Sequence, residues 1–182
     1  MALPSTPPTS RSSRSSLGSS VGGHSTNIIV AGKSEVVCNP ILESLKTMAG
    51  AEVVAQPVTG SLVPGRLRQG HVDVVVMDIG MPEIDGLRAI PNMLKVDPDL
   101  KIIMVATLTF RNVKIIMDGL VAGAVEIVTL PVGRHKKSID SKFRLELTSK
   151  IKALARVRRR RSDAKRTIVA PVKPKIQLRE PS

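Results

Sequence analysis

The chain has 182 residues, 42% of them hydrophobic, with a formal charge of +13 and one cysteine. That length suffices for one domain with a real core plus tails, and the apolar fraction suits a globular protein rather than a disordered one. With two Phe and neither Tyr nor Trp, the core has to be built from Val, Ile, Leu, Met and Ala. The same scarcity argues against aromatic stacking platforms for single-stranded nucleic acid.

Cys38 alone rules out an intrachain disulfide and points to a reducing compartment. His24, His71 and His135 are scattered without ligand spacing, so no zinc site is expected. The N-terminus lacks the apolar run of a signal peptide, and nothing approaches the ~20 apolar residues of a membrane span. A soluble, cytoplasmic protein is the expectation. The charge is uneven. Residues 1–26 carry two Arg and no acid, residues 27–140 carry 12 bases and 12 acids, and residues 141–182 carry 14 bases and three acids. The globular part is neutral, and the basicity belongs to the C-terminal segment.

In chain order, residues 1–26 are rich in Ser, Pro, Thr and Gly and predict a disordered arm. NIIVA (27–31) predicts a buried strand. Val37, Ile41, Leu45 and Met48 repeat every three to four residues, as on a helix. Pro40 is then either a first-turn proline after an Asn39 cap or a kink in a longer helix. AEVVA (51–55) predicts a second strand. Residues 57–71 predict a helix that Gly60, Pro64 and Gly65 make short or irregular. DVVVM (73–77) is a third strand, followed by a helix on Leu87, Ile90, Met93 and Leu94 with Pro91 inside it. KIIMVA (101–106) is a fourth strand. Val113, Ile116, Met117, Leu120 and Val121 give a helix ending near Gly123. VEIVT (125–129) is a fifth strand. Phe143, Leu147, Ile151 and Leu154 give a long last helix running into RVRRRR (156–161), and a charged tail follows.

Strands and helices alternate five times. Strands two to five are short apolar runs with little polar alternation, as a parallel sheet covered on both faces requires. A doubly wound, five-stranded α/β fold of the flavodoxin-like (βα)5 kind follows, with its functional crevice at the carboxyl ends of the strands. The expected domain spans residues 27–157, with a basic disordered tail at 158–182. Asp78 stands at a strand's carboxyl end.

VVVMDIGMPEIDGL, beginning at Val74, resembles the phosphoacceptor strand and loop of a response-regulator receiver domain. IIMVATLTFRN (102–112), GAVEIVTLP (123–131) and KFRLELTSKIKALARVRRRR (142–161) are similar to the receiver domain of the chemotaxis methylesterase. The resemblance covers about residues 27–166. It implies the same (βα)5 fold, a place in a two-component phosphorelay, and Asp78 as the phosphoacceptor position, with Met81, Pro82, Asp85 and Gly86 forming the acceptor loop.

The family pattern also implies partners that this chain lacks. The acid pair that helps hold Mg²⁺ falls on Gly32 and Lys33. The hydroxyl position falls on Ala106, with Thr107 one residue late. The lysine position falls on Leu130 and the aromatic switch position on Ile127. Asp78 alone is too few charged ligands for a hard cation that demands octahedral oxygen coordination. No cofactor is therefore expected, and Mg²⁺ enters only if Asp78 is phosphorylated despite these losses. Lys33 offers two readings: an ion pair that replaces the metal's charge at Asp78, or a solvated cation beside the cleft.

LGSSVGGHS (17–25) resembles the serine motif of the esterase part of that family, with Ser20 in the nucleophile place. No strand–helix frame for a nucleophile elbow follows it. The expectation is a receiver without methylesterase activity and without catalytic residues. The matching Leu130–Pro131 peptide is commonly cis in the family, and an X-Pro bond makes that form cost only ~0.5–1 kcal/mol. The expected function is that of a degenerate receiver-like signalling domain acting by protein–protein contact. Its expected partner is a chemotaxis histidine kinase, a receptor array or another receiver. The contact face would carry Arg111, Lys114 and Glu126, with Ile127 below. One alternative is a working response regulator phosphorylated on Asp78. The other is a basic nucleic-acid or membrane adaptor using residues 150–179, although no DNA-binding motif accompanies that charge.

Overall fold

The structure is a computed structural model, and it describes residues 25–80, 83–107, 110–131 and 136–169. Five strands form one parallel sheet: β1 (Thr26–Ala31), β2 (Ala51–Ala55), β3 (Val74–Asp78), β4 (Lys101–Thr107) and β5 (Glu126–Leu130). Their order across the sheet is β2-β1-β3-β4-β5. Five helices connect and follow them: α1 (Glu35–Lys46), α2 (Val63–Leu67), α3 (Glu83–Val96), α4 (Phe110–Ala122) and α5 (Lys136–Val169). This is the expected doubly wound fold. Among the described residues no helix is long and apolar enough to cross a membrane.

Alternate residues of each central strand serve two cores. Ile29, Val75, Met77, Ile102 and Met104 pack with Val63, Leu67, Ile90 and Met93 from α2 and α3. Ile28, Val30, Val74, Val76, Ile103 and Val105 pack with Ile41, Leu45, Phe143, Leu147 and Ile151 from α1 and α5. Every residue of β3 is buried, so its apolar run needs no polar alternation. Burying each such side chain stabilises the fold by ~1.5–3 kcal/mol. The edge strand β2 differs from the expectation. Its residues alternate between half-buried and exposed, because only one neighbouring strand covers it.

Local chemistry explains the element ends. Pro40 lies inside α1 rather than in its first turn, and Ser34 is the N-cap. The proline lacks an N–H for the carbonyl of Val36, but that residue is 76% exposed, so water can serve it. The buried Ser44 hydroxyl donates to the Pro40 carbonyl at 2.6 Å. Helix α4 closes on Gly123, with φ at 117°. Gly123 N–H donates to Leu120 O and Ala124 N–H to Gly119 O, the paired bonds of a Schellman turn. The 57–71 segment condenses into a 3-10 turn at Gly60–Leu62 and the five-residue α2. Strands β3 and β5 begin one residue later than the sequence suggests, which brings Asp78 and Leu130 into the strands themselves. No described peptide bond is cis, so the Leu130–Pro131 bond is trans, against the family habit.

The expected boundary at residue 157 falls inside α5, which continues to Val169. Arg158 is 5% exposed, and its Nη2 meets Asp97 Oδ2 at 2.5 Å. Arg159 Nη2 donates to Ser25 O and Thr26 Oγ1, both at 2.9 Å, and lies 3.6 Å from Asp73 Oδ2. Asp73 is itself buried and accepts the Asn27 N–H at 2.9 Å. Arg156, Arg160 and Arg161 are exposed. The helical rotation of 100° per residue thus divides one basic run into two anchors and three solvated cations.

Replacing Arg158 by Ala removes the cation from Asp97 Oδ2, leaving that carboxylate only the Asp99 N–H on Oδ1, and removes packed methylenes. We expect a loss of about 2 kcal/mol in urea unfolding. Arg160→Ala should stay within ~0.5 kcal/mol of the unmodified protein. Equal effects of the two changes would refute the anchor assignment.

Candidate functional site

The chain reverses its direction of progress across the sheet between β1 and β3, which is where doubly wound sheets open a crevice at their carboxyl ends. Asp78 ends β3 there, paired in register with Val105 of β4. Gly32 follows β1 on the other side, its N–H donating to Pro57 O at 3.0 Å. The two residues touch closely. A Cβ on Gly32 would lie 3.0 Å from Asp78 Cβ and 3.7 Å from Asp78 Oδ2.

Asp78 is 2% exposed. Its Oδ1 accepts the Gly80 N–H at 2.7 Å, while its Oδ2 is buried without a hydrogen-bond partner. A Cβ on Gly80 would stand only 3.0 Å from Oδ1, so glycine suits that turn. Burial pushes the Asp78 carboxyl above the ordinary carboxylate range, and the Gly80 N–H only partly opposes this. Cys38, in the first turns of α1, borders the same space. Its thiol is pushed up by burial and then by the neighbouring Asp78 charge.

The other positions singled out in the sequence fall as follows. Lys33 is exposed, and the ion pairs among the described residues include none between it and Asp78. Of its two readings, the solvated cation fits this geometry. Ala106 is 1% exposed and packs in the core shared with α2 and α3. Leu130 is 7% exposed and packs in the other core with Phe143 and Leu147. Ile127 is half-buried on β5, beside Met104. Asp85 and Gly86 belong to the first turn of α3; Met81 and Pro82 lie outside the described residues, as do Ser20, His24 and His135.

Among the described residues no group of three His, Cys, Asp or Glu could hold a metal ion. The donor set at the crevice does not fit Mg²⁺ either. Among the described residues it offers one carboxylate, a glycine without a side chain and an exposed lysine, where a hard divalent cation needs several oxygens in octahedral array. Cys38 is the neighbour that the sequence did not mark. Its i+3/i+4 helical spacing from Glu35 and Ser34 gave no sign that its thiol faces Gly32.

A parallel sheet of order β2-β1-β3-β4-β5 with a carboxylate closing its central strand defines a class, and this chain belongs to it: the response regulator receiver domain family, whose sequence profile matches residues 28–138. Within that family it is similar to protein-glutamate methylesterases/protein-glutamine glutaminases. It is 36% identical over 153 residues to the protein-glutamate methylesterase/protein-glutamine glutaminase of Azospirillum brasilense, covering 84% of this chain and 39% of that protein. To the corresponding group 2 operon protein of Rhodospirillum centenum it is 33% identical, covering 91% of this chain and 42% of that one. The chain thus spans about two fifths of the length of these relatives. The fold matches the response regulator domain of Thermotoga maritima CheB with a TM-score of 0.61 and 25% identity. That match covers 73% of this chain and 98% of the other.

The raised affinity of Asp78 for its proton has a stability consequence. The folded state holds that proton to higher pH than the unfolded chain does. Stability from this group is therefore greatest below the ordinary carboxylate range, about pH 3.9, and declines as pH rises through the higher folded-state value. Asp78→Asn keeps the Gly80 bond and cannot ionise. We expect its Tm to exceed that of the unmodified protein at pH 7, with the gap closing toward pH 4. A constant gap across that interval would contradict an ionisation cost at Asp78.

Proposed function

We propose that this receiver domain signals by protein–protein contact, with phosphotransfer to Asp78 absent or weak. The observation that carries this reading is the state of Asp78. Its Oδ2 is buried without a partner, and among the described residues Gly32, Ala106 and Leu130 beside it carry neither a metal-binding oxygen nor a cation on their side chains. Phosphoryl transfer depends on charge neutralisation at the transferring group, by a metal ion and fixed cations. Here Gly32 contributes no side chain, and Leu130 is an apolar core residue. The acceptor position persists while the supporting charges do not.

The contact surface is proposed on α4 and β5. Val113, Met117 and Val121 recur every four residues along α4 and are 53%, 57% and 87% exposed. Leu120 and Val125 extend the patch. An apolar stripe of this extent on a small domain marks an interaction surface more often than a random exposure. Polar residues frame it. Lys114 stands 3.8 Å from Asp118, and Lys150 of α5 bonds Glu126, Glu146 and the Ile127 carbonyl. That network fixes α5 to β5 and gives the patch a rigid border. The partner we propose is another protein of a chemotaxis pathway: a histidine kinase, a receptor array or a second receiver.

The deciding measurement is intact mass after incubation with a small phosphodonor and Mg²⁺, with Asp78→Ala run alongside. No adduct is expected on the unmodified chain. A phosphoryl adduct that disappears in Asp78→Ala would make the domain a working response regulator and overturn the proposal. For the surface, Val121→Glu should abolish binding to the cognate chemotaxis kinase or receptor array while shifting Tm by less than about 2 °C. Undiminished binding would remove α4 from the interface.

A further inference from the structure

The space beside Asp78 is filled from α1. A Cβ built on Gly32 would come to 2.7 Å from the Cys38 sulfur, closer than any packed atom pair permits, and to 3.0 Å from Asp78 Cβ. The second contact needs a shift of only a few tenths of an ångström. The first needs the sulfur to move. Cys38 is half-buried in α1, where a helix excludes one of the three staggered χ1 positions for most side chains. Its backbone N–H is bonded to Ser34 O at 2.8 Å, which fixes the Cα from which the thiol projects. Gly32 is likewise fixed through its N–H to Pro57.

We propose that Gly32 and Cys38 form a steric plug over the acceptor carboxylate. The thiol occupies the volume into which any side chain at position 32 would have to extend. A carboxylate placed there must therefore displace the thiol, and coordination of a divalent cation beside Asp78 is opposed while Cys38 stays. Loss of metal binding is then held by two residues in contact rather than by the missing acid alone. Restoring an acid at position 32 becomes costly until the cysteine is also replaced. This deepens the functional reading above and rests on it for its consequence. The packing itself is independent of phosphorylation.

A double-mutant cycle tests it by a readout other than activity. Gly32→Asp in the otherwise unmodified chain is expected to lower Tm by about 5–10 °C, the scale of an overpacked site. Cys38→Ala alone should change Tm little. The pair Gly32→Asp/Cys38→Ala should recover more than half of the loss, a non-additivity that only contacting residues show. With Lys33→Asp added to the pair, Mg²⁺ in the millimolar range should raise Tm by a few degrees. The same Gly32→Asp/Lys33→Asp change with Cys38 retained should not respond to Mg²⁺.

An equal Tm loss from Gly32→Asp with and without Cys38→Ala would overturn the plug, because the strain would then lie elsewhere. So would an equal Mg²⁺ response with and without the cysteine. Phosphate uptake by the unmodified chain is a separate result. It would defeat the functional reading and leave the measured coupling between positions 32 and 38 as it stands.

Discussion

The constraint on which this structure depends is that its central strand is buried on both faces. All five residues of β3 are buried, with β4 pairing all five and β1 pairing the four before Asp78. A strand so placed can carry a polar side chain only at its end, where the sheet gives way to loops. Burying a charge elsewhere would cost several kcal/mol without a partner. Asp78 occupies that one tolerated position, and its carboxyl still feels the burial. The functional crevice and the energetic problem at Asp78 therefore have a single origin in the two-sided covering of the sheet.

The opposite end of the sheet solves a related problem with arginine. Asp73 enters β3 buried, and Asp97 lies in the turn before β4. The two are met by Arg159 and Arg158 from the end of α5. A guanidinium suits both roles, since it stays charged when desolvated; Arg159 reaches Ser25, Thr26 and Asp73 together, whereas Arg158 meets Asp97 through Nη2 with its Nε and Nη1 buried and unpartnered. These contacts tie the last helix to β1, β3 and the α3–β4 turn. The folded body consequently runs past the point at which composition changes from neutral to basic. The basic run is partly structural, and its charge count overstates what is offered to solvent.

In the function proposed above, the receiver frame around Asp78 is kept while packing takes the place of its chemistry. Ala106 and Leu130 stand where a hydroxyl and a cation would act, and both are buried among apolar neighbours. Gly32 leaves a gap that Cys38 takes up. On that proposal, each position would exchange a charged or polar group for contact area beside the buried Asp78. That exchange favours stability over switching, because a two-state device needs groups whose interactions differ between its states. Such a domain would present a fixed surface, the role proposed above for the exposed stripe along α4.

The alternation of apolar runs and helical periodicities was sufficient to determine five strands, five helices and a doubly wound sheet, because a parallel sheet covered on both faces leaves a pattern that few other folds share. The position of Asp78 at a strand end followed from the same pattern. What only the tertiary structure decided was contact between residues far apart in the chain. Arg158 and Arg159 look alike in the run RVRRRR, and only their helical phase against Asp97 and Asp73 makes them anchors. Lys33 is one residue from the crevice and faces water. Cys38 is five further along and borders Asp78, because α1 turns its thiol toward Gly32. Sequence spacing sets which residues share an element's face. Which face meets which neighbour is set by packing, and that is a property of the whole fold.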